Sequence, residues 1–316
     1  MCNDPIRLTL ALLSAIKNNR PGTFINFTPS NEKLQVFTDL YNGSRVDNSD
    51  GIVQSGSNRQ CSVATLTATA SDEIQAALIS DDIDNELDTY VCDSVLKRYT
   101  DSTATHSVTF ATSGPTITID RPDTLYPKIF TLDYGTTGIT VPNGNVLKGK
   151  ITVIVNEKMK LKNSVRTVTW DGLSENGIVV KGSKSSTYKG LDAFNLPFWS
   201  VSNDLTITRT DGGIITWKSD RLRLRSTINA TPQVYSDDVY SITGSSSGVD
   251  SRGTTYNLVI RGNYPLVIGA NWPFYAYGIT SLSIKNGTVV LDYGNGAMDK
   301  NATVLVNGEL SNYTFQ

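Results

Sequence analysis

The chain has 316 residues, of which 39% are hydrophobic and only 18% are charged, and its formal net charge is -2. Charged residues usually make up about a quarter of a globular domain, and here serine, threonine, asparagine and glycine replace many of them, as in extracellular β proteins. The small net charge provides no global field to attract nucleic acid. The sequence also contains no run of 18 apolar residues, which is about the length needed to span a bilayer.

The N-terminal residues favour a location in the cell envelope. Cys2 follows Met1 directly and precedes the polar residues Asn3 and Asp4. A mature bacterial lipoprotein begins at a cysteine whose thiol carries the lipid, so we expect a lipid on Cys2 that attaches the chain to a membrane. The signal peptide of such a protein is removed and would not be present in the sequence. The alternative is an ordinary cytosolic cysteine at position two.

Residues 1–105 are predicted to form a mixed α/β N-terminal region. Proline at the first helical position predicts a short helix over Pro5–Asn19. Alternating side chains predict a strand over Ser62–Thr69. Apolar residues that recur every four positions predict an amphipathic helix over residues 72–99. The apolar stripe consists of Ile79, Ile83, Leu87, Val91 and Val95.

Acidic residues lie between the members of this stripe, and we expect them to form a solvated helix face, with a cofactor-binding role as the alternative. They are Asp81, Asp82, Asp84, Glu86 and Asp88. Cys61 lies at the start of the preceding strand and Cys92 lies within the helix, next to Val91, and a disulfide between the two cysteines would hold the helix against that strand. Two buried thiols are the alternative. No C-x-x-C motif is present and His106 is the only histidine, so no metal site is expected.

Residues 106–316 are predicted to be an antiparallel β domain. Segments with a period of two alternate with turn pairs such as Asn143-Gly144 and Asn286-Gly287, which supply the positive φ angles of tight hairpins. The two segments around Asp211-Gly212-Gly213 are unusually long, about 13 to 16 residues, and strands of that length must coil. The fold class is therefore mainly β, with long antiparallel strands in a meander that forms a curved sandwich or half-barrel, and a small helical N-terminal region.

The β region contains two segments with the same sequence pattern. Phe130–Gly135 and Val289–Gly294 share the pattern x-x-Leu-Asp-Tyr-Gly and indicate an internal repeat. Asp133 and Asp292 occupy equivalent positions in it, and a carboxylate pair could serve a glycosidase. An aspartate just before Tyr-Gly more often caps a turn through the backbone, and this is the interpretation that we favour.

Six segments carry a resemblance to a known family through their order and spacing. They are Gly114–Ile119, Tyr126–Gly135, Asn143–Ile151, Gly213–Trp217, Asp238–Gly244 and Asp292–Gly296. Together they are similar to a family of Bacteroidetes envelope lipoproteins of uncharacterised function. The resemblance implies a lipid-anchored location and no catalytic residues. Family members carry β-region cysteines where this chain has Ile139, Met298 and Gly114, so the corresponding disulfides are absent.

Two surfaces are candidates for ligand binding. Trp217, Arg221, Arg223 and Arg225 share one face of a long strand and could grip the acidic groups of a glycan; the alternative is a solvated face paired with acids of neighbouring strands. The second surface is an aromatic platform for sugar rings, or else a plug at the end of the core. It consists of Trp272, Phe274, Tyr275 and Tyr277. The segment Asn195–Trp199 is a smaller aromatic cluster with the same two interpretations.

No serine has a nucleophile elbow around it, and a single histidine leaves few options for conventional nucleophilic catalysis. The leading hypothesis is a lipid-anchored protein of the outer membrane, on its surface or periplasmic face. Its role would be structural or binding and non-enzymatic, without a cofactor. A surface glycan-binding module is the alternative, followed by a glycosidase. Expected partners are the membrane, through the lipid, and a polysaccharide or another envelope protein, but not nucleic acid.

Overall fold

The computed structural model describes residues 62–92, 95, 108–111, 114–120, 125–226, 237–270, 272–297, 299–306 and 309–315. The predictions for Cys2, for the helix over Pro5–Asn19 and for Cys61 lie outside the described residues. The disulfide between Cys61 and Cys92 therefore stays a prediction. Cys92 itself is buried, and its Sγ lies 3.6 Å from the carbonyl oxygen of Thr89.

The described part of the chain contains one helix, α1 (Val63–Tyr90), which is 28 residues long. The strand predicted over Ser62–Thr69 is wrong, because the helix begins there. Ser62 caps its N-terminus and accepts a hydrogen bond from the Thr65 amide at 3.1 Å. The Thr69 hydroxyl donates to the carbonyl oxygen of Thr65 at 2.9 Å. Threonine hydroxyls can bond one turn back along a helix, so their alternation with alanine does not require a strand.

Sixteen antiparallel strands make up one sheet in the described residues, and nearly all of them pair with their neighbours in sequence. The short strands β4 and β12 lie beside the main path. The strands are β1 (Val108–Ala111), β2 (Thr116–Asp120), β3 (Lys128–Asp133), β4 (Ile139–Thr140), β5 (Val146–Val155), β6 (Val165–Glu175), β7 (Ile178–Leu191), β8 (Pro197–Thr208), β9 (Ile214–Ser226), β10 (Val239–Val249), β11 (Thr255–Ile260), β12 (Leu266–Gly269), β13 (Tyr277–Ile284), β14 (Gly287–Asn295), β15 (Asn301–Val306) and β16 (Glu309–Thr314). The predicted fold class, a mainly β antiparallel meander with a small helical region, is confirmed.

The strands in the middle of the sheet are long. β8 and β9 have 12 and 13 residues and form the hairpin around Asp211-Gly212-Gly213. The turn is closed by the Arg209 amide, which donates to the carbonyl oxygen of Gly213 at 2.8 Å, and Gly212 has a φ of 86°. Since strands of this length coil with their right-handed twist, the sheet can curve around another secondary-structure element that packs on its concave face.

That element is α1. Its side chains contact residues that are far apart along the sheet, from Tyr134 directly after β3 to Tyr275 shortly before β13. Leu66, Ile83 and Leu87 of the helix belong to the same buried hydrophobic cluster as the inward-facing side chains of the sheet. The predicted boundary between residues 105 and 106 therefore does not separate two cores.

Candidate functional site

All seven acidic residues of α1 are buried. They are Asp72, Glu73, Asp81, Asp82, Asp84, Glu86 and Asp88. The predicted solvated face is wrong, because the sheet surrounds the helix and leaves no side of it in water. Ile79, Ile83, Leu87 and Val91 of the predicted stripe are also buried. Since a buried carboxylate needs a partner, the inward face of the sheet must supply cations or hydrogen-bond donors.

Strand β9 supplies part of this complement. Trp217, Arg221 and Arg223 do share one face, as predicted, but the face points at α1 and these side chains are almost fully buried. Trp217 Nε1 donates to Glu73 Oε2 at 2.6 Å, and Arg221 Nη2 lies 3.2 Å from Glu73 Oε1. Arg223 Nη1 lies 2.5 Å from Asp88 Oδ2. The predictions of a ligand-binding arginine row and of a solvated face are both wrong for these three residues.

The predicted aromatic platform is mostly part of the core. Phe274 and Tyr275 are each 1% exposed, so they offer no surface to a ligand. Tyr275 donates its hydroxyl to Asp81 Oδ2 at 2.6 Å, and Phe274 stacks on Phe315 with ring centroids 5.4 Å apart. Trp272 is half-buried and packs against the same cluster. The platform prediction is wrong for Phe274 and Tyr275, because Tyr275 points inward to donate to a helix acid and Phe274 packs in the aromatic part of the core.

Tyr277, the last residue of the predicted platform, is half-buried. Its ring centroid lies 6.5 Å from that of Tyr264.

The two aspartates of the repeated pattern cap turns. The amide of Gly135 donates to Asp133 Oδ1 at 2.9 Å, and the amide of Gly294 donates to Asp292 Oδ1 at 3.0 Å. Asp133 also pairs with Lys150, whose Nζ lies 2.8 Å from Asp133 Oδ2. The favoured interpretation of these residues as turn caps is confirmed.

Asp84 and Asp88 of the helix also pair with cations of the sheet in the interior. Lys184 Nζ lies 2.8 Å from Asp84 Oδ2 and donates to the Ser80 carbonyl oxygen at 2.7 Å. Asp88 lies between Arg223 and Arg166, whose Nη1 is 2.9 Å from Asp88 Oδ1. Burial opposes ionisation of Asp88, but the charges of Arg223 and Arg166 outweigh it and hold its pKa well below the usual range.

Three buried carboxyl groups instead share neutral donors. Asn145 Nδ2 donates to Asp82 Oδ2 at 2.7 Å and to Glu175 Oε1 at 3.1 Å, and Tyr134 donates its hydroxyl to Glu86 Oε2 at 2.5 Å. Burial raises the pKa of Asp82 to about 7 and that of Glu86 to about 7. Burial and the charge of Asp82 raise the pKa of Glu175 well above its ordinary value. These three carboxyl groups therefore remain protonated at pH values well above those at which exposed carboxyl groups ionise.

A pocket of about 300 Å³ opens at the C-terminal end of α1, and we call it the terminal pocket. The residues that define it are Asp88, Arg166, Ser186, Tyr188, Trp199 and Arg225. Buried Asp88, Arg166 and Ser186 form its polar floor, and partly exposed Tyr188 and Trp199 form its rim. Apolar side chains, among them Val91, Met159 and Leu191, complete the lining. Tyr188 on β7 and Trp199 on β8 are partners in the strand register, and their ring centroids lie 5.6 Å apart at an interplanar angle of 45°. Such rim rings can contact a flat apolar face.

The floor of the terminal pocket contains one hydroxyl group that stands out. Ser186 is 1% exposed, and its Oγ has no hydrogen-bond partner among the described residues. Buried polar groups are normally hydrogen-bonded. Arg225, half-buried, closes the same side of the pocket, with its Nε 2.7 Å from Asp238 Oδ2. Of the predicted arginine row, Arg225 therefore lines the terminal pocket.

Sequence reasoning missed most of this pocket. Trp199 was identified within a small aromatic cluster, but Arg166, Ser186 and Tyr188 carry no local motif. They meet because β6, β7 and β8 are adjacent and in register, which the order of strands in a meander could have indicated. Among the described residues no cluster of histidine, cysteine, aspartate or glutamate is arranged to hold a metal ion. None of the described helices combines the length and the apolar character that crossing a membrane requires.

No protein-family model matches the chain. The search of curated proteins finds no match either. No solved structure matches the fold. The fold and its site define a class by their own geometry: an antiparallel meander wrapped around one buried acidic helix, with a pocket at the end of that helix.

Proposed function

We propose that this chain is a lipid-anchored protein of the cell envelope with a non-enzymatic binding role, and that it holds a saccharide in the terminal pocket. The observation that carries the proposal is the half-buried pair Tyr188 and Trp199 beside a polar floor. Saccharides present apolar C–H faces that stack on aromatic rings and hydroxyl groups that need hydrogen-bond partners. A volume of about 300 Å³ is at the small end of ligand sites and fits a terminal sugar unit.

A binding role is favoured over hydrolysis by what the carboxylates do. Asp133 and Asp292 each hold the amide of a turn glycine. Among the described residues that line the pocket, the only carboxylate is that of Asp88, which is held by Arg166 and Arg223. A glycosidase needs a second carboxyl group opposite the first to act as acid or nucleophile.

The rigid scaffold also suits a binding protein. The walls of the terminal pocket come from strands whose inward side chains are tied to α1 by buried ion pairs, such as Arg166 with Asp88. Preorganised walls reduce the ordering cost of binding. The envelope location rests on the expected lipid at Cys2 and on the resemblance to Bacteroidetes lipoproteins.

Saccharide binding is tested by titrating a panel of monosaccharides and short glycans while recording tryptophan fluorescence and calorimetric heat. We expect saturable binding that Trp199→Ala weakens at least tenfold. Phe194→Ala is the matched control, because Phe194 is an aromatic residue exposed in the turn before β8 and outside the pocket. If no saccharide in the panel binds, or if both variants bind alike, the pocket assignment fails.

The anchor is tested separately, by expressing the full precursor in a Gram-negative host. We expect the protein in the outer-membrane fraction with a lipid on Cys2, and release into the soluble fraction for Cys2→Ser. Mass spectrometry of the N-terminal peptide distinguishes the lipidated from the unmodified cysteine. Unmodified, soluble protein from the intact precursor would remove the anchor from the proposal.

A further inference from the structure

The charged side chains deep in the terminal pocket are already paired with one another or with charges behind the wall. Arg166 Nη1 lies 2.9 Å from Asp88 Oδ1, and Arg225 Nε lies 2.7 Å from Asp238 Oδ2. The Tyr240 hydroxyl also donates to Asp88 Oδ2, at 2.8 Å. A charged ligand group would have to compete with these ion pairs, so the pocket favours a neutral ligand.

Ser186 differs from the other buried polar side chains that line this pocket. It is 1% exposed, and its Oγ has no hydrogen-bond partner among the described residues. The buried Ser164 hydroxyl, in contrast, donates to the carbonyl oxygen of Met159 at 3.0 Å. Since a buried hydroxyl group without a partner is costly, the Ser186 hydroxyl is available for one hydrogen bond to a ligand.

Much of the remaining lining is apolar. It consists of Val91 and Cys92, which are buried, Met159 and Pro197, which are half-buried, and the exposed Leu191. A sugar hydroxyl group placed against such side chains would lose its hydrogen bonds to water, whereas a methyl group gains from burial there. A substituent that combines a methyl group with one strong hydrogen-bond acceptor therefore matches both the apolar lining and the single available hydroxyl group.

We infer that the terminal pocket prefers a neutral N-acetylated sugar, whose acetamido carbonyl oxygen accepts a hydrogen bond from the Ser186 hydroxyl while its methyl group packs against the apolar lining. The inference rests on the proposed saccharide-binding function and names the class of sugar. The sugar ring lies against Tyr188 and Trp199 at the rim, and the amide N–H beside the ring faces the open mouth, where water can accept its hydrogen bond. A cavity of about 300 Å³ takes one ring with its acetamido group.

The test compares a matched pair of probes, methyl N-acetyl-β-D-glucosaminide and methyl β-D-glucoside, which differ only in the acetamido group that replaces one hydroxyl group. We expect the N-acetylated probe to bind about tenfold more tightly. This preference should not change with salt, because neither probe is charged. N-methylacetamide should compete poorly, since it lacks the ring. If it competes as well as the N-acetylated probe, the pocket is a plain amide site and the inference is overturned.

Two variants separate the hydrogen bond of the acetamido group from the packing of its methyl group. Ser186→Ala should keep the melting temperature of the wild type and weaken the N-acetylated probe about fivefold, while the glucoside binds as before. Ser183→Ala is the matched control, because Ser183 lies on the same strand but is exposed on the outer face of the sheet. Met159→Gln makes the apolar lining partly polar and should also reduce the preference for the N-acetylated probe.

The outcomes distinguish this inference from the proposed function. Equal affinity for the two probes in the wild type, or tighter binding of the glucoside, overturns the inference alone. The same holds if Ser186→Ala and Ser183→Ala bind the N-acetylated probe alike. If neither probe nor any sugar in the panel binds, the proposed function is overturned with it.

Discussion

The buried Glu86 predicts that the protein becomes less stable as the pH rises from 5 to 8. Its ordinary pKa of 4.5 is raised to about 7 by burial, which the hydrogen bond from Tyr134 only partly offsets. In this range the unfolded chain has lost the Glu86 proton while the folded chain still holds it. The folded state therefore binds more protons, and the free energy of unfolding falls with increasing pH.

The size of the effect follows from the two pKa values of Glu86. One pKa unit corresponds to about 1.4 kcal/mol, and the contribution is complete below pH 4.5 and lost as the pH passes 7. Between pH 5 and pH 8 we expect Glu86 to reduce the free energy of unfolding by about 2 to 3 kcal/mol. Asp82, whose pKa is also raised to about 7, acts in the same direction, so the whole protein should lose more than this amount.

The assay is urea denaturation followed by tryptophan fluorescence at pH 5, 6, 7 and 8. Glu86→Gln imitates the neutral acid and still accepts the Tyr134 hydroxyl, so its loss of stability over this range should be about 2 kcal/mol smaller than that of the wild type. Glu157→Gln is the matched control, because Glu157 is exposed on the surface. If Glu86→Gln and the wild type show the same pH dependence, Glu86 is ionised or hydrated in the folded state and the argument from burial is refuted.

Three further predictions concern buried charge and backbone geometry. Lys184→Met should cost about 3 to 5 kcal/mol by urea denaturation, because it leaves Asp84 without its cation, and the double variant Lys184→Met/Asp84→Leu should recover part of the loss. Gly182→Ala should lower the melting temperature far more than Gly212→Ala; the new methyl group at residue 182 would lie 2.0 Å from a backbone oxygen, whereas residue 212 has open space, and both have positive φ. Trp217→Phe removes the hydrogen bond to Glu73 and should cost about 1 to 3 kcal/mol; an unchanged urea midpoint would contradict the role of this bond.

The local sequence was sufficient for the β architecture. The period of two and the turn pairs of residues 106–316 predicted an antiparallel meander, and the segments around Asp211-Gly212-Gly213 correctly predicted two long strands. Strand periodicity and turn chemistry are local properties, because each depends on neighbours a few positions away. For the same reason, the turn-capping roles of Asp133 and Asp292 could be predicted without the fold.

The sequence could not show which face of a strand points inward when both faces contain polar residues. In β9, Arg221 and Arg223 alternate with Lys218 and Asp220, and either set could be solvated. Charge alone favoured exposure of both the arginines and the acids of α1. The inward-facing arginines of β9 and the acids of α1 are both buried because they lie opposite each other in the fold. Arg223 and Asp88, for example, are 135 residues apart in the sequence.

The tertiary structure thus decided what the polar residues do. Helix α1 was expected to bury one stripe, but a sheet that coils around it buries every side, and its carboxyl groups become members of an internal network of ion pairs and hydrogen bonds. The same coiling brings Arg166, Ser186 and Trp199 from three strands to one pocket. The sequence by itself determined the strands, the turns and the class of fold. The coiling of the sheet around the helix, a long-range consequence of twist and of charge pairing, decided the interior and the site.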